Sequence, residues 1–142
     1  MIDQITVFLE NDKGRLAALA RCMGDAGVNM SELSIADTAD YGLVRIICND
    51  SAAAQAALQA GGYRSLVTQV VVVEAPNRPG GLAELLEALD ELDANIEYGY
   101  CFSRREDQAV MALKIADAEQ SARAEQVLAQ AGFAILTQEE LN

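Results

Sequence analysis

Histidine and tryptophan are absent from this 142-residue chain, proline occurs twice and cysteine three times, and 10 lysines and arginines face 22 aspartates and glutamates. Without histidine the commonest general base, the commonest metal ligand and the Ser-His and Cys-His nucleophile pairs all disappear. The formal net charge of -12 repels phosphate backbones and anionic lipid, whose binding relies on clustered Lys and Arg, so neither nucleic acid nor a membrane is an expected partner. Cys22, Cys48 and Cys101 are odd in number, widely spaced and form no C-x-x-C pair. They are read as buried thiols rather than a disulfide framework or a zinc knuckle. No apolar run approaches the roughly 20 residues of a membrane span, and the first residues are not a basic segment leading into an apolar one. The cytoplasm is therefore the expected compartment.

What is present is a core-forming composition, 51% hydrophobic. The length suits one ordinary domain or two modules of roughly 70 residues, each marginal if alone. An internal repeat decides for two. Asn11-Asp12-Lys13-Gly14-Arg15-Leu16 is answered 66 residues later by Asn77-Arg78-Pro79-Gly80-Gly81-Leu82, and six of the twenty positions from Asn11 to Met30 are identical in the second copy. Asp50 pairs with Asp117 at an offset of 67, and Gln59-Ala60-Gly61 with Gln130-Ala131-Gly132 at 71. One added residue then falls in a hairpin, and four more lengthen the last helix of the second copy by about one turn. The units are expected at residues 1–69 and 70–142.

Each copy opens on a β-branched strand, at Ile5–Leu9 and Val70–Val73. Leu16, Leu19, Ala20 and Met23, and Leu82, Leu85, Leu86 and Leu89, follow at the i, i+3, i+4, i+7 spacing of an amphipathic helix. Ile96, Tyr98, Tyr100 and Phe102 alternate as a strand does. Their counterparts from Val28 to Ile35 change phase, which predicts a bulge. Turns at Thr38–Asp40 and Arg104–Asp107 lead into strands at Leu43–Cys48 and Val110–Ile115. Ser51 and Asp117 are read as caps of the next helices, with Gln120 completing a capping box. Gly61-Gly62 and Gly132 end those helices before strands at Leu66–Thr68 and Phe133–Leu136. The order β-α-β-β-α-β, twice, is an α+β fold of two ferredoxin-like units, antiparallel sheets with helices on one face. Thr6, Phe8 and the Val70–Val73 run are too apolar for a sheet face left in water, so that face is expected to be covered, and the units to sit against each other.

Asn-x-x-Gly-x-Leu after a strand presents free backbone N–H groups at a helix start, with glycine allowing close approach of a carboxylate. Asn11 and Asn77 add an amide able to donate to a carboxylate and accept from an ammonium, and Asn29 and Asn95 stand at the start of the following strand. The same residues also fit a plainer role, the asparagines as helix caps or turn residues and the glycines as turn formers. Glu84, Glu87, Asp90 and Glu91 lie opposite the Leu82 stripe and read as a solvated face rather than a metal site.

Asn77 to Leu82 followed by Asp93-Ala94-Asn95-Ile96-Glu97 resembles an ACT domain, and Asn11 to Leu16 with Ala26-Gly27-Val28-Asn29-Met30 resembles the same pattern, so the likeness spans the chain as a tandem pair. It implies a non-catalytic regulatory module without cofactor or metal. Such a module binds a free amino acid or similar small effector between ACT units, forms a homodimer and modulates an enzyme in trans. The implied effector site comprises Asn77, Arg78, Pro79, Gly80, Gly81, Leu82, Asn95 and Ile96, and in the other copy Asn11, Asp12, Gly14, Arg15, Leu16, Asn29 and Met30. Asp12-Lys13 departs from the Arg-Pro or Lys-Pro common in the family. Two other readings remain: a structural subunit that docks on an enzyme without an effector, and a small hydrolase resembling acylphosphatase with Arg15 and Asn11 in its active site, weakened by the missing phosphate cradle.

Overall fold

The computed structural model describes residues 1–37, 41–103 and 106–141. The expected turn at Thr38–Asp40 and the Arg104–Arg105 part of the other turn lie outside the described residues. In chain order the elements are β1 (Ile2–Glu10), α1 (Arg15–Asp25), β2 (Met30–Asp37), β3 (Tyr41–Cys48), α2 (Ser51–Ala60), β4 (Arg64–Pro76), α3 (Gly81–Glu87), β5 (Ile96–Ser103), β6 (Gln108–Ile115) and α4 (Ala118–Gln130). Short 3-10 turns follow at Asp90–Leu92 and Gln138–Leu141. The chain divides into a first unit built on Asp3–Thr68 and a second built on Gln69–Glu140 with Met1–Ile2. β4 serves both, as the last strand of one and the first of the other.

In the first unit β1 and β2 both pair antiparallel with β3. In the second, β4 and β5 both pair antiparallel with β6. The helices cover one face of each sheet, and the two cores match residue for residue. Ile5, Val7 and Leu9 of β1, Leu19 and Met23 of α1, Val44 and Ile46 of β3 and Leu58 of α2 are answered by Val71, Val73, Ala75, Leu85, Leu89, Met111, Leu113 and Leu128. Strand alternation selects the strand positions, and of the expected leucine stripe Leu19, Met23, Leu85 and Leu89 are core, whereas Leu16, Ala20 and Leu82 are exposed and α3 ends before Leu89. On the helix-free side Thr6, Val70 and Val72 are buried as well.

The phase change read in the second strand is a bulge between Met30 and Glu32, and the second unit repeats it between Ile96 and Tyr98. Three expectations need correction. The cap of α2 is Asp50, which accepts from the Ala53 N–H at 2.9 Å. Ser51 is one residue too far, already helical, and its hydroxyl donates to Asp3 at 2.8 Å. Asp117 does cap α4, accepting from the Gln120 N–H at 2.7 Å. The Gln120 side-chain oxygen, however, is buried without a hydrogen-bond partner, so the reciprocal arm of a capping box is missing. Asp50→Ala is expected to cost about 1 kcal/mol, read from the urea midpoint.

The second correction concerns helix ends. Gly62 and Gly132 take the left-handed conformation, with φ 77° and 96°. Tyr63 and Phe133, which follow them, each donate back to a core leucine carbonyl, Leu58 and Leu128. The equivalence is therefore Gly62 with Gly132 at an offset of 70, and α4, with 13 residues, exceeds the 10 of α2 by three rather than four. Thirdly, the strand expected at Phe133–Leu136 shrinks to a bridge between Ile135 and Val73, flanked by Glu74 N–H to Ala134 O and Leu136 N–H to Val72 O. It stops there because Thr137 starts a helical turn, its N–H and hydroxyl both donating to the Glu140 carboxylate. No helix among the described residues is long and apolar enough to cross a membrane.

Candidate ligand-binding grooves

The corner between β1 and α1 is rebuilt, bond for bond, between β4 and α3. In the first unit Asp12 N–H donates to Glu10 O at 2.8 Å and Arg15 N–H to Asp12 O at 3.2 Å; in the second, Arg78 N–H donates to Pro76 O at 3.0 Å and Gly81 N–H to Arg78 O at 2.9 Å. Gly14 and Gly80 follow with φ 87° and 86°, a conformation that costs an L side chain roughly 1–2 kcal/mol and explains both glycines. These glycines, not the asparagines, hold the position before each helix, and no side chain caps either one. The plainer reading of Asn11 and Asn77 as helix caps is thereby removed. The first intrahelical bonds are Ala18 N–H to Gly14 O and Glu84 N–H to Gly80 O. The N–H groups of Leu16 and Ala17, and of Leu82 and Ala83, thus have no acceptor within their helices.

Beside each corner lies a groove, and the two grooves correspond position by position. Asn11, Asp12, Leu16, Ile35, Gly42 and Val44 line the first; Asn77, Arg78, Leu82, Cys101, Ala109 and Met111 line the second. The spacing is 66 on the loop and second strand and 67 beyond the hairpin, the offsets found in the sequence. The sizes differ, about 130 Å³ against about 590 Å³. Where Ile35 fills the first groove, the smaller Cys101 opens the second. Leu16, Ile35 and Leu82 are 40%, 51% and 45% exposed, so apolar surface faces solvent at both places.

The polar side chains at the two loops are differently committed. Asn77 gives its amide N–H to Glu106 O at 3.0 Å. Arg78 forms a forked pair with Glu84 at 2.7 and 2.9 Å. Asp12 stands where Arg78 stands, which reverses the charge at that position, and Lys13 beside Asp12 leaves the first loop neutral where the second is positive. Of the three thiols, Cys48 is buried and its pKa is pushed up by that burial, with Asp50 and Asp3 opposing the thiolate. Cys22 is half-buried and contacts Ala57 O at 3.5 Å. Cys101 corrects the expectation of a buried thiol, since it is exposed and lines the larger groove.

The structure gathers Asn11, Asp12 and Leu16 at one groove and Asn77, Arg78, Pro79 and Leu82 at the other, with Gly14, Gly80 and Gly81 shaping the corners. It does not bring Arg15, Asn29, Met30, Asn95 or Ile96 to the groove of their own unit. Asn29 and Asn95 sit at the far ends of β2 and β5, where they tie the next connection through Asn49 N–H to Asn29 O and Ala116 N–H to Asn95 O. Five residue steps along β2 separate Met30 from Ile35, about 17 Å at 3.3 Å per step. The groove residues of β2, β3, β5 and β6 escaped the sequence reading. The signal for them was the alternation of β5, which sets Cys101 opposite Tyr98 and Tyr100.

A model of the ACT domain pair matches residues 1–142. The chain belongs to that family. Among solved structures this ACT pair is similar to a protein of Bacteroides thetaiotaomicron at 31% identity and a TM-score of 0.90, over 99% of this chain and 94% of the other. It shares its fold with the aspartate kinase regulatory subunits of Thermus flavus (17% identity, TM-score 0.64, 91% of each chain) and Thermus thermophilus (17% identity, TM-score 0.66, 92% and 91%). No curated protein matches it. Among the described residues of the ACT pair no three potential metal ligands converge.

Proposed function

We propose that this ACT pair is a regulatory module that holds a free amino acid in the groove of its second unit and modulates an enzyme in trans. One observation carries the reading: both units set an apolar groove against a glycine corner whose helix-start N–H groups have no cap. A carboxylate accepts from such N–H groups, the Asn77 amide oxygen accepts from the ammonium, and Leu82, Cys101 and Met111 receive the side chain. At about 590 Å³ the second groove lies within the roughly 300–1,000 Å³ of ligand sites, and the first, at about 130 Å³, falls below it. Asn29 and Asn95, remote from their own grooves, would contribute from a second copy of the chain, so the reading includes a homodimer. The Thermus structures support the regulatory part of the reading, since their fold serves there as the regulatory subunit of an aspartate kinase.

Calorimetric titration with the twenty amino acids is expected to give saturable binding in the micromolar to millimolar range, roughly -8 to -4 kcal/mol. Asn77→Ala should weaken it about tenfold, the equivalent of one hydrogen bond. Heat from none of the twenty, with the fold intact, would defeat the reading and favour a docking subunit, for which the exposed Leu16, Ile35, Leu66 and Leu82 speak.

A further inference from the structure

The first unit has another cavity, of about 330 Å³, between the end of β1, the first residue of α1 and the turn from α2 into β4. Two arginines line it. The Arg15 guanidinium lies 5.8 Å from the centre of the Tyr63 ring, and that of Arg64 lies 5.4 Å from the centre of the Phe8 ring. In a chain where 22 carboxylates face 10 cations, arginines are easily paired, yet among the described residues neither of these two forms an ion pair. The Arg15 Nε–H is in addition shut off from solvent without an acceptor. Stacking on an aromatic face fixes the plane of a guanidinium and leaves its edge of N–H donors for a planar oxyanion.

The second unit makes clear that this arrangement is no requirement of the fold. By the same offsets the places of Arg15, Arg64 and Phe8 are taken by Gly81, Ala134 and Glu74. At Gly81 a Cβ would stand 2.0 Å from the Pro76 carbonyl oxygen, so α3 begins flush against the end of β4. The first unit holds a whole arginine at that point. Both cations of the cavity are thus without a counterpart in the second unit.

We propose that this cavity is an anion site found in the first unit only, which takes the carboxylate of a small organic acid between Arg15 and Arg64. Glu10 also lines the cavity, and the whole molecule carries a charge of -12. Both penalise a phosphate dianion more than a carboxylate monoanion. The site is independent of the amino-acid groove, because the groove proposed for that ligand belongs to the other unit.

The test follows the Arg15 and Arg64 Nε–H signals and the Gly62 amide by nuclear magnetic resonance while sodium lactate, and separately inorganic phosphate, is added at constant ionic strength. Lactate should shift all three saturably, and phosphate should not. Arg15→Ala and Arg64→Ala should each weaken lactate at least tenfold, and Arg21→Ala, which alters an exposed residue of α1, should leave it unchanged. An unchanged amide spectrum away from the cavity shows that the variants fold. Absence of a saturable response to lactate, or a response that survives both substitutions, overturns the site. Tighter binding of phosphate overturns its assignment to carboxylates. Signals of Leu82 and Ala83 report the amino-acid groove in the same spectra, so failure of one reading is distinguishable from failure of the other.

Discussion

Gly81→Ala should cost about 3 kcal/mol, the upper end for forcing atoms into filled space. The added methyl would meet a backbone carbonyl, Pro76 O, at 2.0 Å and the Pro76 carbonyl carbon at 2.9 Å, and neither can swing aside as a side chain can. Relief requires α3 to lift from the end of β4, which disturbs Leu85 and Leu89 in the core of that unit. Gly80→Ala is the matched comparison. It adds the same methyl one residue earlier, into open space, and costs only the left-handed strain of roughly 1–2 kcal/mol. Urea unfolding of the two variants beside the parent gives the difference directly, and equal midpoints would mean that the close approach does not exist. Gly81→Ala should also displace the free N–H groups of Leu82 and Ala83 and so lower amino-acid affinity, while the Arg15 and Arg64 signals of the first unit stay in place.

Cys101→Trp should abolish amino-acid binding, with at least a hundredfold loss, equivalent to about 2.7 kcal/mol. Cys101 is exposed on β5 and paired with Met111, another groove residue, so a ring built there fills the space in which the effector side chain would lie. Stability should change little, because the substituted side chain is at the surface. Ile35→Trp, at the equivalent place in the smaller groove, is the control and should leave affinity unaltered. Calorimetry on both variants decides, and full binding by Cys101→Trp would remove the second groove as the site. The wild-type thiol offers a further check without mutation. A maleimide should react with Cys101 well before Cys48, whose burial keeps it protonated, and a bound amino acid should protect Cys101.

Much of the fold was legible because it rests on patterns that are local and repeated. Leu19, Met23 and Leu85 are core because a helix has 3.6 residues per turn, and the bulge near Met30 shows as a phase change in the sequence itself. Errors came where two neighbours compete for one role. Asp50 and Ser51 are both good caps, and only the backbone, extended at Asp50, chooses. Gly61 and Gly62 are chemically identical, and the hydrogen bond from Tyr63 to Leu58 decides which takes the left-handed place. The loop half of the candidate site was visible as Asn-x-x-Gly-x-Leu. The strand half was not, because Ile35, Val44, Cys101 and Met111 read as ordinary strand residues until register places them beside the loop. The arginine cavity was hidden for another reason: Arg15 and Arg64 are 49 positions apart in the chain, and only tertiary structure brings their aromatic partners under them.

Of the four α-helices among the described residues, two are preceded by a capping aspartate and two by a glycine. A search for heat-resistant variants would be drawn first to Gly14 and Gly80, where asparagine, the L residue that best tolerates the left-handed backbone, could close the unfinished ends for about a few tenths of a kcal/mol over glycine. If those ends are kept open for an effector, such variants would survive higher temperatures while ceasing to respond to it. Screening by thermal tolerance alone would then select against the property that makes the molecule useful to a cell.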